Sequence, residues 1–132
     1  SWMQRKVDAP RFFEPKAIGW EQDGRLAYGV VFEQWSGPNI FMHVAIEDGA
    51  VVTRRSLKLA FAYPFTHLNC SRITGMVRAD NLKAQRFDEH LGFRLEGRLR
   101  SAATDGTDML VYGMLRNECR WLGVNDGTLA QN

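Results

Sequence analysis

The chain has 132 residues, of which 45% are hydrophobic and 11% aromatic, enough for one globular domain with a buried core and too apolar for a disordered chain. The formal charge is only +2 and the basic residues are scattered, so nucleic acid is not an expected partner. No apolar run approaches the ~20 residues of a membrane helix and no signal-peptide pattern opens the sequence. These features predict a cytoplasmic protein without a membrane partner.

The cysteines and histidines do not have the spacing of a metal site. Cys70 and Cys119 form neither a zinc motif nor a disulfide framework, and the expected state is two reduced, at least partly buried thiols. His43, His67 and His90 are too dispersed to predict shared ligation. No metal is therefore expected.

Three strand candidates occupy the first part of the chain, after a mixed segment, residues 4–15, that prolines interrupt. The candidates are residues 17–20, 26–35 and 39–46. Turn sequences separate them, the first around Asp23-Gly24, and therefore predict antiparallel hairpins.

A helix, a strand and a second helix follow. Residues 53–65 place apolar side chains on one face, with Thr53 as the N-cap and Pro64 near the end. Residues 72–77 read as a short buried strand. Asp80 or Asn81 can cap the second helix, and Gly92 can take the left-handed position that ends it.

Two more strand candidates, residues 93–100 and 108–116, surround a turn and complete the pattern. The strand–helix–strand unit in the middle implies a right-handed crossover and locally parallel pairing. The fold class predicted from this order is α+β, with a mixed sheet in one layered domain.

An ordered set of residues near the second helix carries a family resemblance. The set is Asn81, Ala84, Leu91-Gly92-Phe93, Glu96-Gly97 and Leu99-Arg100. It resembles the signature of the GNAT acyltransferases, in particular the ribosomal-protein N-terminal acetyltransferases and small phage and prophage members. Supporting marks are "FAYPF" at residues 61–65 and "RIT" at residues 72–74, and the resemblance runs from about Ala17 to Leu122.

The resemblance implies a GNAT-like single domain over residues 1–132, with flanking helices, a mixed, mostly antiparallel central sheet and a loose tail at 123–132. Strands 40–46 and 72–77 would splay apart and hold the pantetheine arm of acetyl-CoA, whose amides satisfy the open strand edges. Asn81 would hydrogen-bond that arm. The alternative for Asn81 is a helix cap without a ligand.

The pyrophosphate loop departs from the family pattern. It falls on residues 50–56, "AVVTRRS", where glycines are missing, so that the hydroxyl of Thr53 and two arginines would have to compensate. Solvated first-turn arginines are the alternative. The residues predicted to bind the cofactor are His43, Val44, Ala45, Ile46, Val51, Val52, Thr53, Arg54, Arg55 and Asn81.

The catalytic base is left open among three residues. Met76 stands where the family has one of its catalytic glutamates, which leaves His43, Glu33 and Glu47, or a water that they hold. The ordinary pKa of histidine, ~6.5, suits a proton acceptor near neutrality. A histidine satisfied inside the sheet and a surface-turn glutamate are the alternatives for His43 and Glu47.

The general acid has no obvious candidate. Asp88 stands where many members have a tyrosine, and an ionised aspartate cannot protonate a thiolate. The expectation is that the CoA thiolate takes its proton from water.

The function that the resemblance implies is acetyl transfer from acetyl-CoA to an amine by direct attack in a ternary complex. Weak acid–base equipment favours an amine of low pKa, such as a protein α-amine near 8 rather than a lysine near 10.4. Trp20, Trp35, Phe12 and Phe13 are candidates for the acceptor pocket, with ordinary core positions as the alternative. The short segment before the first strand would leave an open groove for a peptide end, or a second subunit of a homodimer would complete the pocket. The alternative function is a GNAT-fold CoA-binding or protein-interaction module with weakened catalysis.

Overall fold

The computed structural model describes residues 16–123, and in this range a six-stranded sheet carries two α-helices. The elements are β1 (Lys16–Gln22), β2 (Arg25–Glu33), β3 (Asn39–Ile46), α1 (Arg54–Ala62), β4 (Arg72–Arg78), α2 (Leu82–Leu91), β5 (Arg94–Leu99) and β6 (Met109–Leu115). The strand order is β1-β2-β3-β4-β6-β5, and β3–β4 is the parallel pair among antiparallel ones. The predicted mixed sheet and its middle crossover are confirmed.

Some of the predictions fall on residues that the structure does not describe. Residues 4–15, with Phe12 and Phe13, lie outside the described range, and so does the expected tail from residue 124 onward. None of the described helices combines the length and apolar character needed to cross a bilayer.

The first hairpin follows from its turn residues. Asp23 and Gly24 have φ values of 55° and 77°, the left-handed pair that a two-residue turn between antiparallel strands requires. β2 ends at Glu33, two residues earlier than predicted, because Gln34 adopts a φ of 56° that an extended strand does not permit.

Helix α1 begins as predicted and ends differently. The Thr53 hydroxyl oxygen accepts a hydrogen bond from the Ser56 backbone N–H at 3.1 Å, which confirms the N-cap. The α-helix stops at Ala62, and Tyr63–His67 form a π-helical turn closed by the Leu68 N–H on the Tyr63 carbonyl at 3.0 Å. Because Pro64 has no N–H, an α-helical bond is lost there and the wider turn takes over.

Helix α2 has the predicted start and stop. The Asn81 side-chain oxygen accepts from the Ala84 N–H at 3.0 Å, so Asn81 rather than Asp80 is the cap. Gly92 has a φ of 112°, and its N–H donates to the carbonyls of Asp88 and Glu89.

Both helices pack on one face of the sheet, which places the core there. Along β2, β3, β4 and β6, alternate side chains enter the same apolar cluster as the helices. The strand members are Val30, Phe32, Ile40, Met42, Ile73, Val77, Leu110, Tyr112 and Met114, and the helix members are Leu57, Ala60, Phe61 and Leu91. The Phe61 ring lies 6.4 Å from that of Phe65 and 6.2 Å from that of Phe93. Phe61 therefore joins α1 to the chain segment that leaves α2.

We expect Phe61→Ala to lower the free energy of unfolding by about 3–5 kcal/mol, because the side chain is 0% exposed and its loss leaves a cavity. Leu59→Ala on the same helix is the matched control: Leu59 is 57% exposed, and its change should stay within about 0.5 kcal/mol. Urea denaturation of the two variants measures the difference, and equal losses would show that α1 does not anchor the core through Phe61.

Candidate functional site

The parallel pair β3–β4 opens into a gap after four residues. The register joins Asn39 with Arg72 and ends at Met42 with Gly75, so the later parts of both strands run unpaired with each other. The crossover helix and the second helix lie beside this opening on the core face. Residues 40–46 and 72–77 thus separate over part of their length, as the resemblance implies.

The backbone groups that face this gap can be read from the hydrogen bonds on its outer side. The Glu47 N–H donates to the Ala27 carbonyl at 2.8 Å, so Glu47 directs its backbone toward β2. Because this direction alternates along a strand, Val44 and Ile46 direct their backbone N–H and C=O toward the gap. Within the predicted His43–Ala45 stretch, Val44 supplies the free donor.

The opposite edge behaves in the same way. The Ala79 N–H donates to the Asp108 carbonyl at 2.9 Å on the β6 side. The same alternation turns the backbone of Met76 toward β3. Two strand edges with unsatisfied polar groups therefore face each other, an arrangement that an extended amide-bearing chain can satisfy.

A cavity of about 440 Å³ extends from the gap. Its volume lies within the usual range of ligand pockets, about 300–1,000 Å³. Strand β3, the loop after it and the start of α2 form its walls. The lining residues are Val44, Ala45, Ile46, Glu47, Gly49, Ala50, Val52, Asn81, Lys83, Ala84, Phe87 and Asp88. At its rim, Lys83 of α2 makes an ion pair with Asp48 of the loop.

A narrower space of about 60 Å³ continues through the gap between the strands. His43 and Asp88 both line it, although His43 belongs to β3 and Asp88 to α2. Gly75 lies at the point where the strands separate, and a Cβ there would stand 3.8 Å from the Met42 carbonyl oxygen and 3.9 Å from Asp88 Oδ2. The absence of a side chain at Gly75 keeps this point open.

Asn81 serves as a cap and also borders both spaces. Its Oδ1 is used by the Ala84 N–H, whereas its Nδ2 makes no hydrogen bond with residues 16–123. The cap and the ligand role, treated as alternatives in the sequence, are therefore compatible. The cap orients the amide, and the remaining donor is available at the cavity.

His43 and Glu33 form a close pair on the sheet face opposite the helices. His43 Nε2 lies 2.5 Å from Glu33 Oε2, and Glu33 is 6% exposed. Burial lowers the pKa of His43 below its ordinary value, and the neighbouring Glu33 carboxylate partly opposes that change. A neutral imidazole held by a carboxylate is the arrangement of a proton acceptor.

The third catalytic candidate does not join this pair. Glu47 follows β3 and lines the 440 Å³ cavity beside Gly49. Met76 is half-buried and lines the narrow space, where its thioether cannot act as an acid or base. Of the three candidates, the structure brings His43 and Glu33 together and leaves Glu47 apart.

The loop residues predicted to hold pyrophosphate have diverse surroundings. Val51 is largely exposed and its N–H donates to Gln22 Oε1 at 2.9 Å. Val52 lines the cavity, and the Thr53 hydroxyl caps α1. Gly49 stands just before the predicted loop, residues 50–56, and with a φ of 79° it makes a turn in the cavity wall.

The two arginines at the start of α1 differ from each other. The Arg54 guanidinium carbon lies 5.8 Å from the centre of the Trp121 ring. Both arginines are exposed, and neither is among the residues that line the 440 Å³ cavity. Arg54 therefore contacts a segment after β6 that the sequence did not connect with α1.

Asp88 overturns one premise of the sequence reasoning. It is 8% exposed, and its carboxylate makes no hydrogen bond within residues 16–123. Burial, assisted by the negative charge of Glu89, raises the pKa of Asp88 to about 7. Treating Asp88 as fully ionised was wrong, because burial disfavours the charged form, and near neutrality a large fraction of the group carries a proton.

Other residues that the sequence singled out do not line the gap between β3 and β4. Trp20 stacks on Tyr28 with ring centres 4.5 Å apart, and Trp35 is exposed. The two carboxylate oxygens of Glu96, a residue of the family signature, accept hydrogen bonds from the two terminal nitrogens of Arg72, at 2.5 and 3.1 Å. These two signature residues fasten β5 to β4 across β6 rather than line the gap.

Comparisons with known proteins agree with this architecture. No protein-family model and no curated protein matches the sequence. A probable acetyltransferase superposes with a TM-score of 0.68 at 20% identity over 79% of this chain and 62% of its own. Spermidine N-acetyltransferase from Vibrio cholerae, in complex with CoA and spermine, superposes with a TM-score of 0.67 at 21% identity, over 79% of this chain and 67% of its own. Mycobacterium smegmatis RimJ, in complex with CoA-disulfide, superposes with a TM-score of 0.65 at 20% identity, over 79% of this chain and 54% of its own.

The chain has the GNAT fold. At these identities the likeness establishes the fold predicted from the residues around Asn81, and the chain spans roughly half to two thirds of the lengths of these three structures. In the GNAT fold of this chain, no group of three or more metal-ligating side chains comes together within residues 16–123.

The raised pKa of Asp88 predicts a pH-dependent stability. A folded-state pKa of about 7, above the ordinary 3.8, gives stability that is complete below about pH 4 and is lost as pH rises through 7. Relative to Asp88→Asn, the wild type should lose about 1.4 kcal/mol of unfolding free energy per pH unit across that interval. Urea denaturation at pH 5, 6, 7 and 8 measures this loss.

Glu89→Gln is the companion variant in that series. Removing the Glu89 charge should lower the pKa of Asp88, so the loss of stability should be complete at a lower pH than in the wild type. A constant difference between wild type and Asp88→Asn from pH 5 to 8 would mean that Asp88 titrates normally.

Proposed function

We propose that the protein is an acetyl-CoA-dependent N-acetyltransferase that moves an acetyl group directly to an amine in a ternary complex. The observation that carries this proposal is the gap between β3 and β4, which continues into a ligand-sized cavity bordered by Asn81. Structures with the same fold include a spermidine N-acetyltransferase bound to CoA and spermine. The fold alone would not suffice, because catalysis depends on the residues in the site.

The cofactor fits the gap as an added strand. The pantetheine arm carries two amides. Val44 and Ile46 direct backbone donors and acceptors toward the gap, and Met76 adds its carbonyl. The free Nδ2 of Asn81 adds a donor at the side of the cavity. In this arrangement the thioester reaches the point where the strands separate, beside Gly75.

The reaction requires one proton acceptor and one proton donor. The amine nitrogen attacks the thioester carbonyl carbon, the Val44 N–H stabilises the oxygen that becomes negative, and the carbon–sulfur bond then breaks. His43, paired with Glu33, takes the proton that the amine releases. Protonated Asp88, which lines the same narrow space, supplies a proton to the CoA thiolate.

The acceptor approaches from the face that carries His43 and Glu33, since the cofactor occupies the helix face. An amine of low pKa, such as a protein or peptide α-amine near 8, needs less assistance than a lysine near 10.4. At 1.36 kcal/mol per pKa unit, the difference is roughly 3 kcal/mol. An α-amine is therefore the acceptor that this site serves most readily.

The direct test is a thermal-shift titration with acetyl-CoA, followed by assay of CoA thiol release with a peptide panel. A ligand that binds only the native state raises the Tm, by an amount equivalent to about 2.7 kcal/mol at 100 times Kd. Asn81→Asp, which keeps the cap oxygen and removes the free donor, should reduce the shift. No shift at millimolar acetyl-CoA would reject the proposal, and a shift without thiol release would favour a binding module.

His43→Gln should lower kcat/KM for acetyl transfer by about 10²–10⁴-fold, because it removes the proton acceptor while keeping a polar side chain of similar size. Glu47→Gln is the matched control and should leave kcat nearly unchanged, since Glu47 lies apart from the His43–Glu33 pair. Steady-state kinetics with a peptide α-amine measures both, and equal losses would place the proton acceptor elsewhere.

A further inference from the structure

A separate groove of about 290 Å³ lies between the start of α1 and the second half of α2. The segment after β6 closes its third side. Its lining residues are Val52, Arg54, Leu57, Phe87, His90, Leu91, Arg120 and Trp121. Val52 and Phe87 also line the 440 Å³ cavity, so the two spaces adjoin each other.

A buried tryptophan holds the cationic side of this groove in place. Trp121 is 5% exposed, and its Nε1 donates to the Leu91 carbonyl at 2.9 Å. The guanidinium carbon of Arg120 lies 4.5 Å from the indole centre and that of Arg54 lies 5.8 Å away. Arg120 also donates to the His90 carbonyl. Two guanidinium groups from distant parts of the sequence are thereby fixed on one indole.

Within residues 16–123, no acidic side chain neutralises the charge of the groove. No aspartate or glutamate lines it, and neither Arg54 nor Arg120 makes an ion pair with a residue between 16 and 123. The two guanidinium groups are both positive and repel each other. An anion bound between them would attract both. The imidazole of His90 at the rim adds a third nitrogen-bearing group.

We propose that this groove binds the 3′-phosphate at the nucleotide end of CoA, an inference that rests on the proposed acetyl-CoA chemistry. A phosphate monoester carries a charge of about −1.5 to −2 near pH 7, which matches two arginines without carboxylates. Guanidinium groups suit phosphate because they donate two parallel hydrogen bonds. The buried indole offers no open face to adenine, so the groove suits the phosphate rather than the base.

The position agrees with the order of groups along the cofactor. With the thioester at Gly75 and pantetheine in the gap, the pyrophosphate reaches the loop before α1, and the nucleotide continues past Val52 and Phe87. Arg54 begins α1, so it stands between the pyrophosphate loop and the groove. Arginine side chains thus supply anion binding near a loop whose glycines are missing.

The test compares CoA with 3′-dephospho-CoA by isothermal titration calorimetry. Wild-type protein should bind CoA roughly tenfold or more tightly than 3′-dephospho-CoA, because charge-assisted hydrogen bonds to the phosphate are lost. In Arg120→Gln the affinity for CoA should fall to that for 3′-dephospho-CoA, whose own affinity should not change. Arg54→Gln is a second variant and should also lower the preference for CoA over 3′-dephospho-CoA, and thermal melting confirms that each variant is folded.

Arg86→Gln is the matched control, since Arg86 is an exposed residue of α2 that lines none of these cavities. It should retain the wild-type preference for CoA. Equal affinity of wild-type protein for the two ligands would overturn this inference and leave the transferase proposal standing. Equal weakening of both ligands in Arg120→Gln would also overturn it, and binding of neither ligand to the wild type would overturn both proposals.

Discussion

The interruption of the β3–β4 ladder after Met42 and Gly75 is the constraint on which the rest of the structure depends. A sheet normally closes such a gap, because unpaired backbone groups are costly when buried. Here β2 holds β3 from one side over residues 41–46, and β6 holds β4 from the other side over its full length. The strands are therefore fixed apart, and their inner edges remain ready for a chain with amide groups.

The gap also brings together groups from the two faces of the sheet. His43 points away from the helices and pairs with Glu33, whereas Asp88 belongs to α2 on the core side. Through a continuous sheet these side chains would be separated by a layer of backbone. Because Gly75 has no Cβ at the point of separation, the space between them stays open. In the proposed reaction, a base and an acid in different environments would then act on opposite ends of one reacting group.

Local sequence signals predicted most of the fold, because caps and turns act over a few residues. Asn81 with Gly92, Thr53 and the Asp23-Gly24 turn each set an element boundary through their own backbone geometry. The site was harder to predict from the sequence. The sequence offered His43 and Glu33 as separate candidates, and only the register of β2 with β3 brings them together. Asp88 was misjudged because its pKa depends on burial, which no local pattern reveals.

Arg120 and Trp121 were not predicted as site residues for a related reason. They lie beyond the last strand and contact α1 and α2 only in the folded protein. In the proposed phosphate site, their placement would supply anion binding beside the glycine-free residues 50–56. The Thr53 hydroxyl oxygen accepts the capping hydrogen bond, so its O–H is the part left to donate to a ligand. Arg54 and Arg120 add positive charge, but both side chains are exposed, and exposed side chains lose conformational entropy when they bind an anion. Stacking both guanidinium groups on a buried indole reduces that entropy loss before the ligand arrives.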